Sequence, residues 1–126
     1  MKKVFHHIGL PAPNQDTPLP GESWVASSGC WVTNPAHHPQ RIEYLRYAAD
    51  STVDPVFQNA PHICYIVDDL DAAIAGHEIA IAPFEPGHPP FGRAAFTMED
   101  GIAVEYIELY PGRAWFDDDV TQGEET

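Results

Sequence analysis

Positive charge is scarce in this chain. Six lysines and arginines stand against 19 aspartates and glutamates over 126 residues, a formal net charge of −13. With no basic stripe, nothing here can neutralise a row of phosphates, so neither nucleic acid nor an anionic membrane surface is an expected partner. Long apolar runs are missing as well: no stretch approaches the roughly 20 residues of a membrane-spanning helix. The opening MKKVFHHIGL has two lysines but no extended apolar segment, so no secretory leader is expected and the protein reads as cytoplasmic. Cysteine is nearly absent. Cys30 and Cys64 lie far apart and neither belongs to a Cys-x-x-Cys pair. A thiolate zinc site or dithiol redox centre therefore has no support, and two reduced thiols are the expected state.

What the chain does contain is enough apolar sequence, 44%, for one domain with a real core. The reading is a single domain over 1–126, with an acidic tail at 111–126. The final ten residues, DDDVTQGEET, carry five acids and read as solvated. Within the domain the sequence is legible twice. HICYIV, from His62, has the β-branched and aromatic composition of a strand. DDLDAAIAG follows as a helix, with Asp68 or Asp69 as cap and Gly76 as stop. HEIAIAPFEP, RAAFTM and IAVEYIEL then read as three strands, with EDG turning between the last two. The order is strand, helix, strand, strand, strand.

The first half repeats this pattern. His7-Ile8-Gly9 matches His62-Ile63-Cys64, and Ile42-Glu43-Tyr44-Leu45 matches Val104-Glu105-Tyr106-Ile107. Such self-similarity predicts two modules, about 1–55 and about 60–110. SWVAS and CWVTN supply two short strands of the first. Between Leu10 and Trp24, however, PAPNQDTPLPGES carries four prolines, so the first module's helix is expected to be reduced or missing.

Chemistry concentrates at the repeated positions. Strand alternation puts Arg41, Glu43, Leu45 and Tyr47 on one face, and Ala103, Glu105, Ile107 and Leu109 on another. Each glutamate thus has apolar neighbours. A buried carboxylate is costly unless it is paired or bound to a metal. His7, Glu43, His62 and Glu105, two per module, form a set that one divalent ion accepts: Zn, Ni, Co, Mn or Fe. Gly9 and Cys64, two residues after each histidine, are small enough to leave room for a substrate. Arg41 is the best candidate to bind a substrate anion. His6, by alternation, should point away from His7. Tyr44, Tyr106 and Glu108 fall on the far face, and His37, His38, His77 and His88 fall in loops or at a helix end. Trp24, Trp31, Phe57 and Phe91 are candidates for a pocket wall.

HHIGL, RIEYL, PHICYIVDDLDAAI and AVEYIEL resemble the glyoxalase / vicinal oxygen chelate superfamily. The resemblance spans roughly residues 4–110 and is strongest in the second module. It implies an α+β fold of paired βαβββ modules closing into a cup-shaped mixed sheet. It also implies metal ligands at His7, Glu43, His62 and Glu105. A set of two histidines and two glutamates resembles the isomerase and lyase branch, where a ligand glutamate, Glu43 or Glu105, can also serve as base. The implied function is a metal-dependent lyase or isomerase acting on a small hydroxy- or keto-carbonyl substrate. The alternatives are a small-ligand binding protein of the same fold, with or without metal, and an Fe(II) dioxygenase. The aromatic content and open sheet edges lead us to expect a homodimer.

Overall fold

A computed structural model describes residues 2–117 of the chain. Eight strands form one curled mixed sheet: β1 (Lys3–Pro11), β2 (Ser23–Val25), β3 (Cys30–Val32), β4 (Ile42–Tyr47), β5 (His62–Val67), β6 (Glu78–Phe84), β7 (Gly92–Glu99) and β8 (Ile102–Leu109). Their order across the sheet is β2-β3-β4-β1-β5-β8-β7-β6. The two halves are laid out alike. In each, the first strand lies innermost with the last strand parallel to it, and a hairpin continues outward. The halves meet along an antiparallel β1–β5 seam.

The proline-rich segment 12–22 forms turns and no helix, as its prolines predict. The helix of the second half, α2 (Leu70–Ile74), follows α1, a single turn at Pro55–Gln58. Asp69 caps α2 by accepting the Ala72 N–H at 3.1 Å, and Glu108 accepts the Leu70 N–H at 2.8 Å. Glu108 thus serves the far face, as alternation indicates. Between β7 and β8 both Asp100 and Gly101 have positive φ (54° and 79°), which a two-residue hairpin matched to the strand twist requires.

Alternation divides the core into two. Val32, Leu45, Cys64, Ala94 and Ile107 face into the cup, while Ala95, Val104 and Tyr106 pack under Leu70 and Ala73 of α2. The first half has no helix on that outer face. Trp24 and Trp31 pack against each other there at a tilt of 51° (4.5 Å between centroids), and Trp31 is covered by the Arg46 guanidinium, which Glu22 holds through two hydrogen bonds.

One expectation is corrected at the C-terminal end. Residues 111–117 are not tail. After a turn at Gly112 (φ 74°), Arg113 donates to the Pro90 carbonyl at 2.9 Å and Trp115 is buried against Phe91 and Phe116. The acidic stretch 118–126 lies outside the described residues. Among the described residues, no helix is long and apolar enough to cross a membrane.

Glu99, at the end of β7, accepts hydrogen bonds from Thr97 and Tyr106, both at 2.7 Å. Burial alone would raise its pKa, but the two hydroxyls outweigh burial and hold it below its ordinary value. A depressed folded pKa stabilises the fold above the ordinary carboxylate range, and that contribution is lost as pH falls through the lowered value. Tyr106→Phe is expected to cost about 1–2 kcal/mol near neutral pH, and the deficit should shrink as Glu99 protonates. Urea unfolding of the two proteins between neutral and strongly acidic pH checks this.

Candidate metal centre

The four central strands each supply one side chain to a single cluster: His7 from β1, Glu43 from β4, His62 from β5 and Glu105 from β8. Glu43 Oε1 lies 3.2 Å from His7 Nε2 and 3.7 Å from His62 Nε2. Glu105 Oε1 lies 3.5 Å and 3.2 Å from the same two nitrogens. All four residues are buried. Neither Nε2 makes a hydrogen bond, although both are enclosed. Two buried imidazole nitrogens without hydrogen bonds, converging on carboxylate oxygens, fit a divalent first-row cation: His7, His62 and Glu105 bring three donor atoms within 4.8 Å of one another, Glu43 lies beside both nitrogens, and the carboxylates supply balancing charge.

The electrostatics agree with that donor set. Burial alone would depress His7, but the neighbouring Glu43 charge, with Cys64 and Glu105 adding to it, holds the imidazole well above its ordinary value. Burial would likewise raise Glu105, but His62 and His7 outweigh it and keep this carboxyl far below the usual range. Without a cation, a proton on His7 helps offset the buried carboxylates.

Sheet register explains the small residues. Gly9 stands opposite both Glu43 and His62, and Cys64 opposite both Glu105 and His7. A Cβ on Gly9 would come within 2.0 Å of the His62 ring, so glycine is what lets that imidazole lie down over β1. The fully buried Cys64 holds the matching place beside His7, and burial pushes its thiol pKa up. Each small residue therefore accommodates the histidine of the opposite half. Neither lines the cavity described below, where room for a substrate was expected.

Two more expectations change. His6 does not point away from His7. A β-bulge between Phe5 and His7 inserts His6 as an extra residue opposite β5, so both histidines are buried on the same side. His6 Nδ1 and His7 Nδ1 are 2.6 Å apart. Only one can carry the shared proton, and when His7 Nδ1 carries it, Nε2 is the nitrogen left to ligate a cation held beside the carboxylates. Arg41 does not share the face of Glu43. It precedes β4 in a left-handed conformation (φ 56°), donates from Nε to the His6 carbonyl at 2.6 Å and is absent from the cavity lining. It braces the bulge.

The cluster forms part of the wall of an apolar cavity of about 60 Å³ inside the cup. Glu43, His62 and Glu105 line it, together with Phe57, Phe84, Phe91, Phe96, Trp115 and Phe116. Phe96 lies edge-on to His62, 5.1 Å between centroids, and parallel to Phe84. Of the aromatics proposed for a wall, Phe57 and Phe91 are there, whereas Trp24 and Trp31 are on the outer face. Phe84, Phe96 and Trp115 were not foreseen. The doubled histidine at 6 and 7, two buried polar residues in succession on a strand, was the available signal for the bulge.

Paired modules with this strand order decide the architecture. The fold is the glyoxalase / vicinal oxygen chelate fold. Two solved structures share it. One is a hypothetical protein from Bacillus halodurans, with TM-score 0.65 and 17% identity over 91% of this chain and 100% of that one. The other is a methylmalonyl-CoA epimerase from Mycobacterium tuberculosis, with TM-score 0.58 and 16% identity over 86% and 89%. No family model and no curated protein sequence matches the chain. In glyoxalase-fold terms, this chain keeps both inner strand pairs and drops the helix of its first module.

Gly9→Ala tests the packing at the seam. The added methyl forces the His62 ring out of position, and overpacking there should cost about 1–3 kcal/mol. Thermal unfolding measures the loss, and histidine NMR should show the His62 resonances moving most.

Proposed function

We propose that this protein is a metal-dependent lyase or isomerase of the glyoxalase type, acting on a small hydroxy- or keto-carbonyl compound. The observation that carries the reading is the pair of enclosed imidazole nitrogens, without hydrogen bonds, facing two carboxylates in the wall of an apolar cavity. His7, Glu43, His62 and Glu105 would hold the ion. When bound, it supplies electrophilic stabilisation to negative charge developing on a substrate oxygen. The likeness in fold to a methylmalonyl-CoA epimerase supports the isomerase side of the reading.

The rest of the chemistry belongs to the chain's own residues. Glu43 and Glu105 both reach the cavity, so either can take a proton from the carbon beside a substrate carbonyl and return it. The phenylalanine walls keep water from the carboxylate and from the carbanion-like centre it creates. Phe96 limits the tilt of His62, and His6 fixes the ring nitrogen by which His7 faces the site. The small cavity suits a small substrate. The chain is further proposed to pair as a homodimer, a reading supported by the exposed Phe5, Ile8 and Trp24.

Metal analysis and melting test the centre. The purified protein should hold about one divalent ion per chain, and adding metal to stripped protein should raise its melting temperature, by ~2.7 kcal/mol of stability at a hundred times Kd. His62→Ala should lower metal affinity by roughly 100-fold or more and abolish the rise, while His37→Ala, at an exposed site, should change neither. Glu43→Gln or Glu105→Gln, whichever removes the base, should slow α-proton exchange of hydroxyacetone in D2O about 100-fold. Protein that takes up no stoichiometric ion, and a His62→Ala variant that melts like the parent under every metal condition, would sink the reading. Stoichiometric metal without any proton exchange would leave a binding protein.

A further inference from the structure

Every cation in the sequence has a place in the described structure, and none is in the cavity. Lys2 is exposed at the chain start, and Lys3 lies over the Tyr65 ring. Arg41 braces the His6 carbonyl, and Arg46 is held by Glu22 over Trp31. Arg93 faces Asp71 and Glu108, and Arg113 donates to the Pro89 and Pro90 carbonyls. Residues 118–126 add acids and no lysine or arginine. The carboxylates Glu43 and Glu105 line the cavity instead, with the His62 imidazole beside them.

Charge counting extends the point to the metal-loaded protein. A divalent ion held by two carboxylates and two neutral imidazoles has no formal net charge, so the centre offers an incoming anion no surplus of positive charge. The remaining wall is mostly apolar, with Phe57, Phe84, Phe91, Phe96, Trp115 and Phe116 its aromatic part, and Ser28 and Tyr47 add uncharged hydroxyls. An anionic group carried into this space would be desolvated with no lysine or arginine to pair with, and the chain's −13 net charge opposes its approach. An uncharged aromatic body meets ring edges and faces instead, with the Phe84 and Phe96 rings only 5° from parallel.

We propose that the substrate of this site is an uncharged carbonyl or hydroxy-carbonyl compound with an aromatic or otherwise apolar body. Carboxylates, phosphate esters and acyl thioesters of anionic carriers are rejected. The proposal rests on reading the cluster as a substrate site, and it narrows the substrate class of that site.

Two probes of similar size separate the alternatives: 2-hydroxyacetophenone, neutral, and phenylglyoxylate, anionic. Both are titrated by calorimetry into the full chain, metal-loaded and metal-stripped, with metal content measured on the same samples. Trp115, the tryptophan in the cavity wall, should report binding by a change in fluorescence. The neutral ketone should bind at least about tenfold more tightly than the anion, because the anion is buried with no lysine or arginine beside it. Phe96→Leu, which keeps an apolar wall but removes a ring, should weaken the ketone about threefold. Phenylglyoxylate binding as tightly or more tightly overturns the proposal, as does failure of both probes to bind folded, metal-loaded protein. The two readings fail separately. Ketone preference that survives in protein unable to take up metal leaves the substrate class standing and removes the metal. Stoichiometric metal with a preference for phenylglyoxylate does the reverse.

Discussion

Two carboxylates are buried beside the same two imidazoles where the four inner strands meet, and the centre of the sheet is arranged around keeping that charge matched. Glu43 and Glu105 could not stay ionised in an apolar cup alone. Each carboxylate lies nearest the histidine of its own half and next to the histidine of the other, so the two halves share the charge balance. Removing one histidine strands a buried charge, which costs about 3–5 kcal/mol. A bound cation would take over the role of the His7 proton in balancing the pair. Stability and ligand capacity are thus set by the same four side chains.

The seam between the halves is shaped by that requirement. The His62 ring occupies the space above Gly9, and His7 lies beside Cys64. The bulge at His6 is part of the same construction. It turns two successive side chains inward, and Arg41, pulled into a left-handed turn ahead of β4, ties the bulged carbonyl to the neighbouring strand. Small residues, bulge and arginine together hold two imidazoles in the orientation that the carboxylates need.

Much of this was legible because it is local and repeated. The pairs His-Ile-small and apolar-Glu-Tyr-apolar recur at matched places, strand alternation turns each glutamate inward, and prolines rule out a helix at 12–22. What escaped depends on partners distant in sequence. Whether His6 follows alternation is decided by its register with β5, which nothing near His6 encodes. Arg41 looked like a strand residue because its neighbours are. Its turn, and its hold on the His6 carbonyl, come from the parallel pairing of β1 with β4. The roles given to Gly9 and Cys64 differed for the same reason, since what lies above each belongs to the other half. Phe84 and Phe96 reach the cavity from the outer hairpin, and Trp115 returns to it from beyond the last strand, in a stretch whose acidity reads as tail.

The missing helix leaves the two halves unequally clad. In the second, β5 and β8 are covered on both faces, by the cup on one side and Leu70, Ala73 and Ile74 on the other. In the first, the outer face rests on two tryptophans in tilted contact and one guanidinium. Amide exchange should register the difference as a gradient across the sheet, with β8 opening only on global unfolding and β2 and β3 opening in brief local excursions. The cavity takes Val25, Cys30 and Val32 from those looser strands and Ile107 from the firm one. It therefore has one yielding wall and one rigid wall, and a molecule too large for the resting space would be admitted on the tryptophan side.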